Sequence, residues 1–394
     1  MAFAHLQIYD RRERWLVGCA DAFLGAWAVV SRRPPLREAG APTRILLLRL
    51  ERIGDLLMTL EAINRVRVRA PGALLHLVVG SWNASLARIL PDVDSYETLD
   101  ASWLARTEGQ TALALARRAW SWRKRAFDLA LNFEPDIRSN TLLGLSGAPR
   151  RVGFASGGGG GLLTTALPYV PELHTAINAL RIVDAALPSP TEAAHVEWPV
   201  RLSIPEEARR EANRLLGGPI PGRLLVGVHP SAGRAIKQWH LNRFGQVAAR
   251  LASDFGATVV LTGTREDRPL VDAVVASLSA DVPRLDLAGP LDLSVFAAVL
   301  QQLRLLVTCD SGPMHLAAAV GTPVVGLFGP ADPRRWGPLT PRARVLAANL
   351  WCRPCNRVRR PPLRCAGRVP DCLDGISADA VCRAAADLLR DPAP

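Results

Sequence analysis

The sequence predicts an α/β protein made of two doubly wound halves joined by a hinge, each a parallel sheet with helices on both faces. Three observations predict it. Short, continuously apolar runs recur, as strands buried on both faces require: 44–50 (RILLLRL), 74–80 (LLHLVVG) and 127–133 (FDLALNF). Stretches of helical period separate them, beginning with LLMTLEAINRVRVR after Gly54-Asp55. The alternation then pauses over a Pro/Gly-rich stretch at 187–222, read as a linker plus one helix, and restarts. In the second half strands are expected at 224–229, 257–262, 304–308 and 323–328. Helices are expected near 241–254, 267–279, 293–303, 313–320 and 378–390. Open sheets of this kind bind ligands at the carboxyl ends of their strands, so the expected site is a cleft between the halves.

Composition supports a folded chain. Its 394 residues are 49% hydrophobic and 21% charged, which excludes a disordered protein, a coiled coil and a small disulfide scaffold. The formal net charge is +12, and only two of the 48 cations, Lys124 and Lys237, are lysine. Such an excess favours an anionic partner, although a GC-rich coding sequence also produces arginine bias. No recognition motif accompanies the charge, so nucleic acid is not the expected partner. The start, MAFAHLQIYDRRER, lacks a signal-peptide cleavage pattern, and the apolar stretch 15–30 is short and interrupted by Asp21. A cytoplasmic protein is expected.

The densest signal is TCDSGPMHLAAAVGTPVVGLFGPADPRRWGP, residues 308–338. A strand ends at Thr308, Asp310-Ser311-Gly312 turn, and Pro313 opens a short helix carrying His315. Free N–H groups and the positive helix end suit a diphosphate. Ser311 adds a hydroxyl, and Asp310 can accept from sugar hydroxyls. A second segment, VGVHPSAGRAIKQWHLNRF (226–244), puts Lys237 in a turn at a strand's carboxyl end, where a compact charge suits phosphate. In a third, RLERIGDLLMTLEAI (49–63), Asp55 opens a helix directly after the first strand. There it is a helix cap, or a general base for a hydroxyl nucleophile. Glu266, in TGTREDR, lies at the same kind of strand end and is placed to hold ribose hydroxyls. The run Gly157 to Gly161 lacks dinucleotide- or P-loop spacing and reads as a flexible loop facing the cleft, or as plain surface.

Five segments in order resemble glycosyltransferase family 9, the lipopolysaccharide heptosyltransferases: LLLRLERIGDLLMTLEAI, HPSAGRAIKQWHLNRFGQVAARL, VVLTGTRED, LAGPLDLSVFAAVL and CDSGPMHLAAAVGTPVVGLFGP. The resemblance spans roughly residues 44–382. It implies a GT-B fold of two Rossmann-like domains facing a central cleft, the first holding the acceptor and the second the nucleotide sugar. The implied division is an N-terminal extension (1–42), an acceptor domain (43–195), a linker region (196–222), a donor domain (223–350) and a Cys-rich segment with a final helix (351–394). It implies inverting transfer of heptose from ADP-heptose to a hydroxyl of the lipid-linked inner core, without a cofactor for catalysis. Asp55 matches the family's proposed base, and Lys237 the lysine on the donor diphosphate, with Ser231 in the adjoining turn. Asp310, Ser311, Gly312 and His315 match its donor motif, and Glu266 falls near its ribose-binding acid. An anionic, phosphate- or Kdo-bearing acceptor suits the arginines of the first domain: Arg117, Arg118, Arg123, Arg125 and Arg138.

Cys352, Cys355, Cys365 and Cys372 carry spacing suited to tetrahedral sulfur ligation of a structural zinc or iron, or are reduced thiols. Residues 1–42, with Arg11, Arg12, Arg14, Arg32 and Arg33 around an apolar stretch, form a helix lying on an anionic membrane or packed on the first domain. Three rival readings stay open: a relative using another nucleotide sugar or acceptor, a nucleotide-sugar epimerase, and a glycan-binding scaffold.

Overall fold

A computed structural model describes residues 3, 6–8, 10–30, 40–104, 109–189, 202–218, 222–358 and 361–391. Arg32 and Arg33 fall outside the described residues. The chain divides into two compact units, Met1–Val196 and Glu197–Pro394.

The first unit contains α1 (Arg11–Val30), β1 (Arg44–Arg49), α2 (Ile53–Leu57), α3 (Leu60–Arg69), β2 (Leu74–Val79), α4 (Ala84–Arg88) and β3 (Ser95–Thr98). It continues with α5 (Ala112–Ser121), β4 (Leu129–Asn132), α6 (Ile137–Leu145), β5 (Arg150–Phe154), β6 (Thr165–Leu167) and α7 (Thr175–Ala186). The second contains α8 (Glu206–Leu215), β7 (Leu225–His229), α9 (Leu241–Phe255), β8 (Thr258–Leu261), α10 (Arg268–Ala276), β9 (Arg284–Asp286) and α11 (Leu293–Gln302). After these come β10 (Leu305–Cys309), α12 (Gly312–Ala319), β11 (Val324–Leu327), α13 (Pro333–Trp336), β12 (Ala343–Leu346), α14 (Asp371–Asp374) and α15 (Ala378–Arg390).

Each unit folds around a six-stranded parallel sheet. The orders are β3-β2-β1-β4-β5-β6 and β12-β11-β10-β7-β8-β9. Counted within its own unit, each is the doubly wound order 3-2-1-4-5-6. The chain therefore reverses direction across the sheet between β1 and β4, where Leu48 pairs with Asn132, and between β7 and β10, where His229 pairs with Thr308. Loops leaving the carboxyl ends of those strands diverge to opposite faces and leave a crevice.

Burial explains the apolar runs. Ile45, Leu46, Leu47 and Leu48 are all fully buried, because helices cover both sides of β1. Leu46, Leu48 and Leu50 pack with Val78, Trp122 and Phe127. Each such leucine contributes about 1.5–3 kcal/mol. In the second unit, Val226, Val228, Val307 and Leu327 share one core with Trp239 and Phe244. Leu373, Val381, Ala385 and Leu388 belong to that core too, so the segment after the Cys cluster is built into the second unit.

The glycine run is not a loose loop. Gly157, Gly158 and Gly159 are buried, and α1 sits on them. A Cβ on Gly158 would lie 2.8 Å from Val17 Cγ1, and one on Gly161 would lie 2.9 Å from Gly25 Cα. Gly159 N donates to Asp21 Oδ1 at 2.7 Å. Gly158 and Gly161 leave room for α1, whereas Gly157, Gly159 and Gly160 are packed against Pro135, Asn140 and Ala155 of the first unit itself.

Candidate active site

In the first unit the reversal point is organised by an arginine. Arg49 is the last residue of β1 and is buried. Its Nη1 donates to the Phe133 carbonyl at 2.7 Å and pairs with Glu51 Oε2 at 2.9 Å. Its Nη2 lies 3.6 Å from Asp55 Oδ1, and its Nε donates to the Asp55 carbonyl at 3.3 Å. Burial disfavours the guanidinium's charge, but Glu51, Asp55 and Glu134 outweigh it and hold its pKa above the ordinary value. Asp55 lies in the first turn of α2, anchored by buried Leu56 and Leu57, and its carboxylate is part-exposed.

Glu134 follows β4 and closes the same arrangement from below. Its Oε1 accepts from the backbone N–H groups of Leu50 and Glu51, the latter at 3.0 Å. Burial, then the neighbouring Glu51 charge, push its pKa above the usual carboxylate range. Asn132 clasps the turn: Oδ1 accepts from Glu134 N at 3.1 Å, while Nδ2 donates to Asn140 Oδ1 at 2.8 Å. Asp55 thus stands on a loop pinned at Arg49, Leu50 and Glu51. Neither Arg49 nor Glu134 stands out in the sequence. The only hint is a charged residue closing an otherwise apolar strand.

The five arginines expected to meet the acceptor divide. Arg123 and Arg125 precede β4, at the amino end of the strands, opposite the end that carries Asp55. Arg118 donates to Glu97 Oε2 at 2.8 Å, and Trp122 Nε1 donates to Glu97 Oε1 at 2.5 Å. Arg125 Nη1 lies 2.9 Å from His76 Nδ1. Although burial opposes ionisation of Glu97, these partners draw its pKa down to about 2. Arg123 caps the Leu145 carbonyl at 3.0 Å and stacks on Trp120, and Arg117 is exposed on α5. Arg138 alone of the five sits in the turn after a strand's carboxyl end. It donates to Asp136 Oδ1 at 2.9 Å and lies over Trp103.

In the second unit β7 ends at His229, and a tight turn (residues 235–237) presents Lys237. β10 ends one residue before Asp310, whose N–H donates to the Leu327 carbonyl at 3.1 Å. Lys237 Nζ lies 2.6 Å from Asp310 Oδ2, an ion pair not aligned as a hydrogen bond. Ser311 is the N-cap of α12, extended at φ −151° and without a side-chain cap bond; its Oγ lies 3.3 Å from Thr308 Oγ1. Gly312 and Pro313 begin the helix, so its first-turn N–H groups face outward without intrahelical partners. His315 is buried on that helix.

Ser231 is engaged elsewhere: its hydroxyl donates to Asp267 Oδ1 at 2.5 Å. Asp267 Oδ2 accepts from Thr264 N and Oγ1, both at 2.9 Å. Burial alone would raise the Asp267 pKa, but these donors pull it below the usual range. Asp267 therefore ties the Ser231 turn to the Thr264 loop, while the adjoining Glu266 is exposed. His229 Nδ1 lies 3.1 Å from Thr262 Oγ1, and burial depresses its pKa to about 4, so it is neutral.

Cys352, Cys355, Cys365 and Cys372 all border one cavity, together with Ile236 and Pro330. All seven cysteines are free thiols. Among the described residues no three His, Cys, Asp or Glu side chains close on one point as a metal's ligands would. Burial, then the neighbouring Cys355, push the Cys372 thiol up to about 11. The loop also braces its neighbours: Arg353 Nε donates to the Gly329 carbonyl at 2.7 Å, and Asn356 N to the Pro330 carbonyl at 2.9 Å. Ile236, at the cavity wall, adjoins Lys237.

Residues 116–363, more than half of the chain, match the family model for glycosyltransferase family 9 (heptosyltransferase). The chain is 27% identical over 319 residues to lipopolysaccharide heptosyltransferase 2 of Salmonella typhimurium, covering 77% of this chain and 87% of that one. Its fold is similar to the E. coli ADP-heptose lipopolysaccharide heptosyltransferase II (TM-score 0.71, 21% identity, 88% and 98% of the two chains). It is also similar to a family 9 glycosyl transferase from Veillonella parvula (TM-score 0.74, 22% identity, 90% and 98%). With two doubly wound units of the GT-B kind and this match, the chain belongs to glycosyltransferase family 9, the heptosyltransferase family.

Proposed function

We propose that the chain transfers heptose from ADP-heptose, with inversion, to a hydroxyl of an anionic, lipid-linked inner-core acceptor, working in the cytoplasm at the inner-membrane surface. The reading is carried by the Lys237–Asp310 pair at the β7/β10 reversal point, beside the open end of α12. A nucleoside diphosphate suits that place: its negative oxygens exchange Asp310 for the lysine's charge and take the first-turn N–H groups. Asp310 is then free to accept from the sugar, and exposed Glu266 to accept from ribose.

In the reaction Asp55 takes the proton of the acceptor hydroxyl while that oxygen attacks the anomeric carbon. The bond from that carbon to the diphosphate breaks with its electron pair, and ADP leaves onto Lys237 and the helix end. Arg49 positions the Asp55 carboxylate. Arg138 is the arginine best placed to meet acceptor anions, whereas Arg117 lies with Arg118 on α5, toward the other end of the strands.

No step runs through a metal. The four cysteines border one cavity and their sulfur chemistry suits a structural zinc or iron, although in this structure no three of them close on one point. Cys352, Cys355, Cys365 and Cys372 would hold it, and its charge would favour their thiolates while stiffening the loop behind Ile236 and Pro330. Metal content of the purified protein and of Cys355→Ser tests this.

The assignment of the donor is tested by offering ADP-, UDP- and GDP-sugars, ADP-heptose among them, with deacylated core acceptor. Turnover of ADP-heptose supports it. Turnover of another sugar nucleotide instead removes the heptosyl assignment and leaves the family.

A further inference from the structure

Helix α1 is held to the first unit by one face and is bare on the other. Val17, Asp21, Leu24 and Gly25 form the inner face, at helical spacing, over the glycine run. Asp21, the helix's one acid beyond its first turn, is consumed there by Gly159 N. Trp15, Cys19 and Phe23 stand four residues apart on the outer face, with Leu16 alongside. Trp15 is 59% exposed, Leu16 63% and Phe23 70%. Cys19 is exposed as well, and Arg11 and Arg12 are exposed at the start of the helix. Their exposure does not come from a detached helix, since the inner face approaches the glycine backbone too closely for any side chain to intervene.

The helix also lies where a lipid-borne acceptor would arrive. Just before it, Gln7 N donates to the Ser156 carbonyl and Gln7 Nε2 to the Tyr169 carbonyl, both at 2.8 Å. Tyr169 is in turn one of the groups acting on Arg49. Glu13, in the first turn of α1, is among the charges around Arg138. So α1 is rooted at the carboxyl ends of β4 and β5, the same end of the sheet that carries Asp55.

We infer that the outer face of α1 is a docking surface for an anionic lipid bilayer, with Trp15, Leu16 and Phe23 entering the interface and Arg11 and Arg12 meeting the headgroups. This rests on the reading of a lipid-linked acceptor. Charge favours this occupant: the chain carries +12, and the exposed arginines flank the apolar face. A second copy fits less well. The three side chains expose on the order of 400 Å², about half of what each partner of a stable interface buries, and a symmetric pair would bring the arginines together. Among the described residues no helix is long and apolar enough to cross a membrane.

The test is flotation of the full chain with vesicles of neutral phosphatidylcholine, alone or mixed with anionic phosphatidylglycerol, for wild type, Trp15→Ser/Leu16→Ser/Phe23→Ser and Arg11→Glu/Arg12→Glu. Wild type should float with the anionic vesicles. The triple variant should lose at least about tenfold in bound fraction, and the charge variant should lose binding to anionic vesicles most strongly at low salt. Sedimentation and transfer to a deacylated, water-soluble acceptor are measured on the same samples. Failure of wild type to float, or unchanged flotation of the triple variant, overturns the inference. A dimer lost in the triple variant without lipid binding would overturn it in favour of a second copy. Since flotation needs no sugar nucleotide, loss of the heptosyl assignment and loss of this surface are separate results. All five substituted side chains lie outside the catalytic groups, so normal turnover of the soluble acceptor certifies folding.

Discussion

Lys237 and Asp310 meet at 2.6 Å although 72 residues separate them in the chain, because β7 and β10 are neighbours and both loops leave at the reversal point. Asp310 is nearly buried, so the lysine is its compensating charge. In the proposed function a donor diphosphate competes for the same ammonium group, and the pair is the contact that binding would rearrange.

Lys237→Ala should therefore weaken ADP binding by about 10–100-fold, as loss of a charge-assisted contact does. It should also destabilise the second unit by leaving Asp310 unpaired, and Lys237→Ala/Asp310→Asn should recover stability without recovering affinity. Calorimetric titration with ADP and urea unfolding separate the two effects.

In the proposed reaction Arg49 is a positioning residue. Arg49→Met leaves Glu51, Asp55 and Glu134 without their shared cation and should cost about 3–5 kcal/mol in urea unfolding. Arg49→Lys keeps the charge but not the fork that spans Phe133 O, Glu51 and Asp55. It should lower kcat while leaving KM for the donor unchanged, and shift the acidic limb of the pH–rate profile. A purely structural arginine would leave that limb in place.

Acid should weaken the second unit through His229. Its pKa is depressed to about 4 in the folded chain against the ordinary value of 6.5, so the folded state disfavours the added proton. Stability is full above about pH 6.5 and falls by up to about 3 kcal/mol as pH drops toward 4. His229→Gln should flatten that slope. Glu97, in the first unit, is depressed to about 2 from 4.5, so its contribution is lost at lower pH, between those values. Unfolding followed by hydrogen exchange in each unit distinguishes them.

Gly161→Val should displace α1, since any Cβ there meets the backbone of Gly25 at 2.9 Å. Limited trypsin digestion should cut at Arg11, Arg12 and Arg14 faster in the variant, with β1 and the rest of the unit still protected.

Much of this was readable from residues alone. The long apolar runs of β1, β2, β7, β10 and β11 announce buried parallel strands, and the segment around Asp310-Ser311-Gly312 announces the turn from β10 into α12. The edge strands β3 (SYET) and β9 (RLD) do not, because polar side chains are tolerated where only one neighbour pairs. Charge alone picks out Arg117, Arg118, Arg123, Arg125 and Arg138, but charge carries no direction, and chain order takes all but Arg138 toward the amino end of β4. The glycine run was ambiguous for a different reason: its partner, α1, is more than 130 residues away in the chain. Arg49 and Glu134 become meaningful only once β1 and β4 are known to be neighbours.

In the proposed reaction everything turns on Asp55 as the group that accepts the acceptor's proton. The direct measurement is single-turnover transfer of heptose from ADP-heptose to deacylated acceptor by wild type and Asp55→Ala, with ADP affinity measured on both. Transfer should fall at least about 100-fold in the variant while ADP binds as before. Undiminished transfer by Asp55→Ala would contradict that role.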